Sequence, residues 1–163
     1  MRLRLRYTAQ HGQRGRIRIA VSISCDWVSA SQLAIIDRMS GRVTLVHVLD
    51  AVASSRFPAQ IPTFHVVASW QNHTEMVTRA RLQLSIEEPG GETTTILTDE
   101  EVSFAGRTSH RSVCIVQSLT VLRPGPYRVV ARWQSVGTGG WTEAGSHPFG
   151  VNTSATPAGP AMA

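Results

Sequence analysis

Apolar and polar positions alternate along most of this chain with the period of two that marks a half-buried β-strand. The rhythm starts at Arg16, after which Ile17, Ile19, Val21, Ile23 and Cys25 fall on one face and Arg18, Ala20, Ser22 and Ser24 on the other. It returns in residues 43–49, and in 63–71 with Phe64, Val66, Ala68 and Trp70 on one face. In residues 79–88, Ala80, Leu82, Leu84 and Ile86 oppose Arg81, Gln83, Ser85 and Glu87. The turn Pro89-Gly90-Gly91-Glu92 then folds the chain back into 93–104, because glycine supplies the positive φ that tight hairpins need. A long apolar strand is expected over 110–122, a turn at Arg123-Pro124-Gly125-Pro126, and alternation again at Tyr127, Val129, Ala131 and Trp133. A last hairpin around 137–140 returns through Trp141 to Val151.

Two stretches are less regular. Leu33-Ala34-Ile35-Ile36 is apolar without alternation and fits a short strand or a helical turn. Residues 41–62 read as a turn at Ser40-Gly41, a strand closed by Asp50, a short loop, and the pair Phe57-Pro58 and Ile61-Pro62 leading into the next strand. Eight or nine strands with frequent turn signals and no long helical pattern predict an all-β chain, a single antiparallel β-sandwich of immunoglobulin-like shape. The expected organisation is a basic flexible arm over 1–15, the sandwich domain over 16–151 and a disordered tail over 152–163.

Composition agrees with one globular domain: 163 residues, 42% hydrophobic and 17% charged, suffice for one full core. All 16 basic side chains are arginine, so lysine chemistry such as a Schiff base is excluded. The charge is concentrated at one end. Residues 1–19 hold Arg2, Arg4, Arg6, Arg14, Arg16 and Arg18 and no acid, whereas ten arginines face eleven acids in the rest. The net +5 therefore belongs to the arm. Those six arginines are the candidate contact for nucleic acid or another polyanion, beside the plainer reading of a solvated tail.

Candidate chemistry is sparse. Six histidines (His11, His47, His65, His73, His110 and His147) form no HxH, HExxH or HxxxH array, and there is no CxxC, so no metal ligands and no cofactor are expected. His73-Thr74-Glu75 comes nearest to a ligand pair. His47 and His65 lie on strands that invite neighbourhood, with Asp50 close in sequence, as a cross-strand polar pair or simply on a solvated face. No G-x-S-x-G elbow supports a hydrolase, and no catalytic residue is assigned. Cys25 and Cys114 sit in apolar strand runs and read as two buried free thiols in a reducing compartment, pairing only if their strands adjoin. Trp70 and Trp133 are expected in the core; Trp27 and Trp141 fall near strand ends, where exposure would mark a binding surface.

Several short patterns together resemble a family of small bacterial proteins known as a domain of unknown function. They are Cys25-Asp26, Ser40-Gly41-Arg42-Val43-Thr44-Leu45 with Asp50, Phe57-Pro58-Ala59, and Pro124-Gly125-Pro126-Tyr127. The likeness spans about 17–151. Arg42 stands where the family usually has lysine, and His47 where it usually has a small residue or glycine. The resemblance implies a β-sandwich-like fold and supplies no catalytic residues. A true immunoglobulin domain places a tyrosine two residues before its second cysteine, and Ser112 occupies that position here.

The expectation from sequence is a non-enzymatic module that binds a protein partner through its edge strands and loops. The alternative is polyanion binding by the arm. No run is long and apolar enough to span a bilayer, and a cytoplasmic location is favoured over export.

Overall fold

A computed structural model describes residues 22–74, 77, 79–137 and 139–154, the side chains of 98–100 aside. Within them lie eleven strands and no helix. The all-β reading holds, and the strand count exceeds the eight or nine expected. The strands are β1 (Ile23–Ile36), β2 (Val43–Val48), β3 (Ala51–Ser54), β4 (Ala59–Ile61), β5 (Phe64–Asn72) and β6 (Arg79–Glu87). They continue with β7 (Thr93–Ser103), β8 (Ser109–Val116), β9 (Leu119–Val121), β10 (Gly125–Ser135) and β11 (Thr142–Thr153).

They form a four-stranded sheet in the order β2-β1-β5-β8, a five-stranded sheet in the order β3-β11-β10-β6-β7, and a small β4-β9 ladder. The chain crosses between the two large sheets from β2 to β3, back before β5, then from β5 to β6, from β7 to β8, and again before β10. All pairings are antiparallel except β3 with β11, which is parallel. Alternation places Phe64, Val66, Ala68 and Trp70 of one sheet and Leu82, Leu84, Ile86, Tyr127 and Val129 of the other in a single core, each almost wholly buried. Trp70 donates its indole N–H to Ser112 Oγ at 3.1 Å, so its one polar atom is satisfied inside the core.

Cys25 and Asp26 mark a β-bulge where the register of β1 against β5 shifts. β11 carries its own irregularity where it meets Ala131 and Arg132. The two strands come close there: a Cβ on Gly145 would lie 3.1 Å from Cys25 Cβ, so a side chain at this position would require β1 and β11 to part by a few tenths of an ångström.

Several expectations are revised. Leu33–Ile36 is neither a separate strand nor a helical turn but the continuation of β1. The apolar run 110–122 is two strands, because the chain turns after Val116, where Thr63 Oγ1 donates to Gln117 O at 2.8 Å, and β9 leaves to pair with β4. The loop expected after Asp50 contains β3 and β4. The peptide bond of Phe57-Pro58 is cis. Residues 17–21 of the first expected strand, the arm 1–15 and most of the tail 152–163 lie outside the described residues.

Candidate functional site

The surface that departs most from an ordinary solvated one is the β1–β2 hairpin. β1 pairs with β5 as far as Ser31↔His65, and from Ser31 to Ile36 it pairs with β2. Its distal half is apolar on both faces, and Leu33 (45%), Ile35 (51%), Ile36 (48%), Met39 (96%) and Val48 (41%) stand exposed. A run apolar on both faces is the pattern of a strand covered on both sides. Here the cover is incomplete.

The turn at the tip is held tightly. Asp37 accepts the Met39 amide at 2.9 Å and the Ser40 hydroxyl, and its carbonyl accepts Gly41 N at 2.7 Å. Those bonds, Ser40's first, keep the Asp37 carboxyl below its ordinary range. Gly41 takes φ 66°, which glycine adopts freely.

The hairpin does not run straight on. Arg111 of β8 donates to the Gly41 carbonyl, and Arg111 stands in the register row Trp27–Ser69–Arg111. Nine residues separate Trp27 from Ile36, so a straight strand would carry the tip about 30 Å from that row. The hairpin therefore bends back over the outer face of the four-stranded sheet. At the start of the distal half the Ser31 hydroxyl donates to Leu33 O at 3.1 Å. Val67, on this outer face between Ser29 and Val113, is fully buried.

His47 and His65 do not touch as a pair. β1 lies between their strands, and both imidazoles turn to its Gln32: His47 Nδ1 is 2.9 Å from Oε1 and His65 Nδ1 is 3.2 Å from the carbonyl. His47 sits at φ 53°, the left-handed region. A glycine would take this angle without the steric cost that a side chain brings.

The outer face of the five-stranded sheet is the opposite kind of surface. Glu87 binds Arg128 at 2.9 Å and also Arg132, Arg128 reaches Glu143 at 3.1 Å, and Arg132 donates to Ser85 Oγ at 2.6 Å. Burial alone would raise the Glu87 carboxyl, but the two guanidinium groups together hold it below its ordinary range. Val130 is fully buried beneath this lattice. Its charges are matched internally.

At the end of the molecule where β1 begins, the loops after β5 and β7 enclose an open cleft of about 820 Å³ lined in part by Asn72, His73, Phe104 and Arg107. Asn72 organises it, donating to Val77 O at 2.8 Å and accepting Thr74 N at 3.2 Å. His73 Nε2 lies 2.8 Å from Ser24 Oγ, and Ser24 reaches Asp26 at 3.5 Å. The serine is the middle member, so the order needed for nucleophile activation, with histidine between the two, is not the one present.

The other sequence candidates are dispersed. Among the described residues no group of three or more His, Cys, Asp or Glu is placed to hold a metal ion. Glu75 of the His73-Thr74-Glu75 pair, His11, and the arm arginines Arg2, Arg4, Arg6, Arg14, Arg16 and Arg18 lie outside the described residues. Cys25 and Cys114 are both free, with β5 between their strands. Burial pushes the Cys25 thiol up to about 11 and raises Cys114 as well. Trp27, at the β1 bulge, is 38% exposed, Trp141 is half-buried, and Trp133 packs only partly against the core. The turn at Ser40-Gly41 and the strand after it were legible in sequence, whereas the first strand of the hairpin was ambiguous; its signal was the loss of alternation at Leu33–Ile36.

These features define an all-β chain of two large sheets around one core, with an apolar hairpin laid back over one sheet. The chain belongs to a family of unknown function, DUF6941, whose model matches residues 21–134. The matched span contains the hairpin, the cleft and most of β10, and ends before β11. No match was found among curated proteins. The chain also overlays a crystal structure of β-glucosidase from Listeria innocua in complex with isofagomine, at TM-score 0.39 and 11% identity. The overlay covers 77% of this chain and 16% of the glucosidase chain, and at that score it carries no argument. Among the described residues no helix is long and apolar enough to cross a membrane.

Proposed function

We propose that this chain is an immunoglobulin-like β-sandwich and a non-enzymatic protein-interaction module whose contact surface is the β1–β2 hairpin. The shape is supported by strands that alternate between the two sheets along the chain and by a tyrosine corner. In that corner the buried Tyr127, just inside β10, donates its hydroxyl back to Arg123 O at 2.9 Å. The function rests on one observation, the five large apolar side chains standing between 41% and 96% exposed on one hairpin. A soluble surface does not ordinarily group apolar side chains in this way unless something binds there. Free thiols at Cys25 and Cys114 support a reducing, cytoplasmic setting.

The test compares full-length chain with an Ile36→Asp/Met39→Asp variant and an Arg81→Asp control, after melting curves establish that all three fold. Polypeptides captured by the wild type and the control should be lost from the hairpin variant. Identical capture by all three removes the hairpin from the account.

A second reading, binding of nucleic acid or another polyanion, is favoured by the six arginines and no acid of residues 1–19. Retardation of a labelled nucleic acid should then vanish when residues 1–18 are deleted. Retardation unchanged by the deletion would remove the arm from consideration.

A further inference from the structure

We infer that the distal β1–β2 hairpin, residues 33–46, is a hinged flap that pivots at the level of Gln32 and His47 and is latched at its tip by Arg111. The inference goes beyond the interaction reading and does not depend on what binds the hairpin.

The hinge is written into both strands at one level. β1 pairs with β5 only as far as Ser31↔His65, and beyond that row its ladder is with β2. That ladder runs from Ile36↔Val43 to Leu33↔Val46, passes over Gln32 and His47, and resumes at Ser31↔Val48. At the interruption His47 takes φ 53°, a turn out of the extended conformation. Hinge motions are absorbed at a few such positions, where an element departs from its regular dihedral angles. The imidazoles of His47 and His65 brace the same level, one on the side-chain oxygen of Gln32 and the other on its carbonyl.

Beyond the hinge the segment holds itself together. Four ladder pairs join 33–36 to 43–46. At the tip Asp37 N donates to Arg42 O at 2.9 Å and Gly41 N to Asp37 O at 2.7 Å, while the Asp37 carboxylate accepts Met39 N and the Ser40 hydroxyl. The segment can swing as one piece without breaking any of these bonds.

Its hold on the sheet is of another kind. Arg111 donates to the Gly41 carbonyl, a charged group on a neutral oxygen, and both residues are exposed. A hydrogen bond at a solvated position is exchanged for water at small net cost. On the face that the flap overlies, Val67 is wholly buried in the row Ser29–Val67–Val113. Opening adds the valines of that row to the apolar side chains the hairpin already shows. The latch therefore sets how much apolar surface the molecule presents.

The experiment is thiol labelling of the full chain carrying Val67→Cys, read by peptide-resolved mass spectrometry, with Arg111 intact or replaced. Position 67 reports local opening, and the native Cys25, buried in the core, reports global unfolding in the same molecule. Arg111→Ala should speed labelling at position 67 about tenfold, the scale of one hydrogen bond with a charged donor, and leave Cys25 unchanged. Arg111→Lys, which keeps a cation in reach of the carbonyl, should fall between the two. Val113→Cys, in the same row, gives the same reading should the first thiol variant not fold. Labelling that Arg111→Ala leaves unchanged, or that rises only in step with Cys25, overturns the inference. Faster hydrogen exchange across 33–46 in Arg111→Ala also overturns it, because the hairpin would then melt rather than swing. If the latch is seen while Ile36→Asp/Met39→Asp captures the same polypeptides as the wild type, the flap stands and the interaction reading fails.

Discussion

His47 shows how far a single backbone angle constrains a site. A non-glycine residue at φ 53° carries about 1 kcal/mol or more of local strain, offset in part by the contact of its ring with Gln32. His47→Gly is therefore expected to raise stability by about 1 kcal/mol in urea unfolding; a clear loss would mean that the Gln32 contact outweighs the strain. Cys25 gives a second residue-scale test. Its thiol is pushed up to about 11 by burial, so it should resist a thiol reagent at pH 8 until the protein unfolds. Because the folded value lies above the unfolded one, the contribution of Cys25 to stability is complete below pH 9 and is lost as pH rises toward 11. Rapid labelling of the folded protein at Cys25 would contradict this. The Cys25-Asp26 pattern was legible in sequence, but its cause was not: Cys25 packs on Gly145, which lies 120 positions away.

At the scale of elements, strands such as β6 were legible because one face is buried and the other more open, which writes alternation into the sequence. β3 and β4 escaped notice because strands of four and three residues are too short to show a period. β3 also depends on a parallel partner, β11, nearly a hundred residues away. The distal half of β1 was ambiguous for a different reason: with both faces apolar, period two disappears.

The turn expected at 123–126 is shorter than read, because β10 already begins at Gly125. Gly125 adopts φ 142°, and a Cβ there would lie 2.7 Å from Pro89, so Gly125→Ala should cost about 2 kcal/mol or more through strain and overpacking. Tyr127→Phe removes only the bond to Arg123 O and should cost about 1 kcal/mol. Equal costs would mean that the corner is held by packing alone. On the adjacent sheet, Glu87 titrates below its ordinary 4.5. Its ion pairs therefore stabilise the fold above that value and fail as pH falls through the lower folded one. Glu87→Gln should flatten this part of the acid unfolding profile; an unchanged profile would assign acid sensitivity to other carboxylates.

Across the whole molecule the two outer faces differ in what they leave unsatisfied. The five-stranded sheet is faced with arginines and glutamates that neutralise one another and cover Val130. The four-stranded sheet is overlaid by a hairpin that shows large apolar side chains to solvent. Grouped exposed apolar side chains of this kind are the pattern of a surface that another molecule covers, which is the observation the proposed interaction role starts from. The fold could be anticipated from alternation, but this contrast could not, because it depends on which of several apolar runs the tertiary structure leaves uncovered.

Site-specific photo-crosslinking in cells addresses this most directly, with a photoreactive amino acid placed at Ile36 or, as control, at Arg81 on the five-stranded sheet. The account predicts a discrete crosslinked polypeptide, a second copy or another protein, from position 36 and none from position 81. No crosslink from position 36, or the same products from both positions, would contradict it.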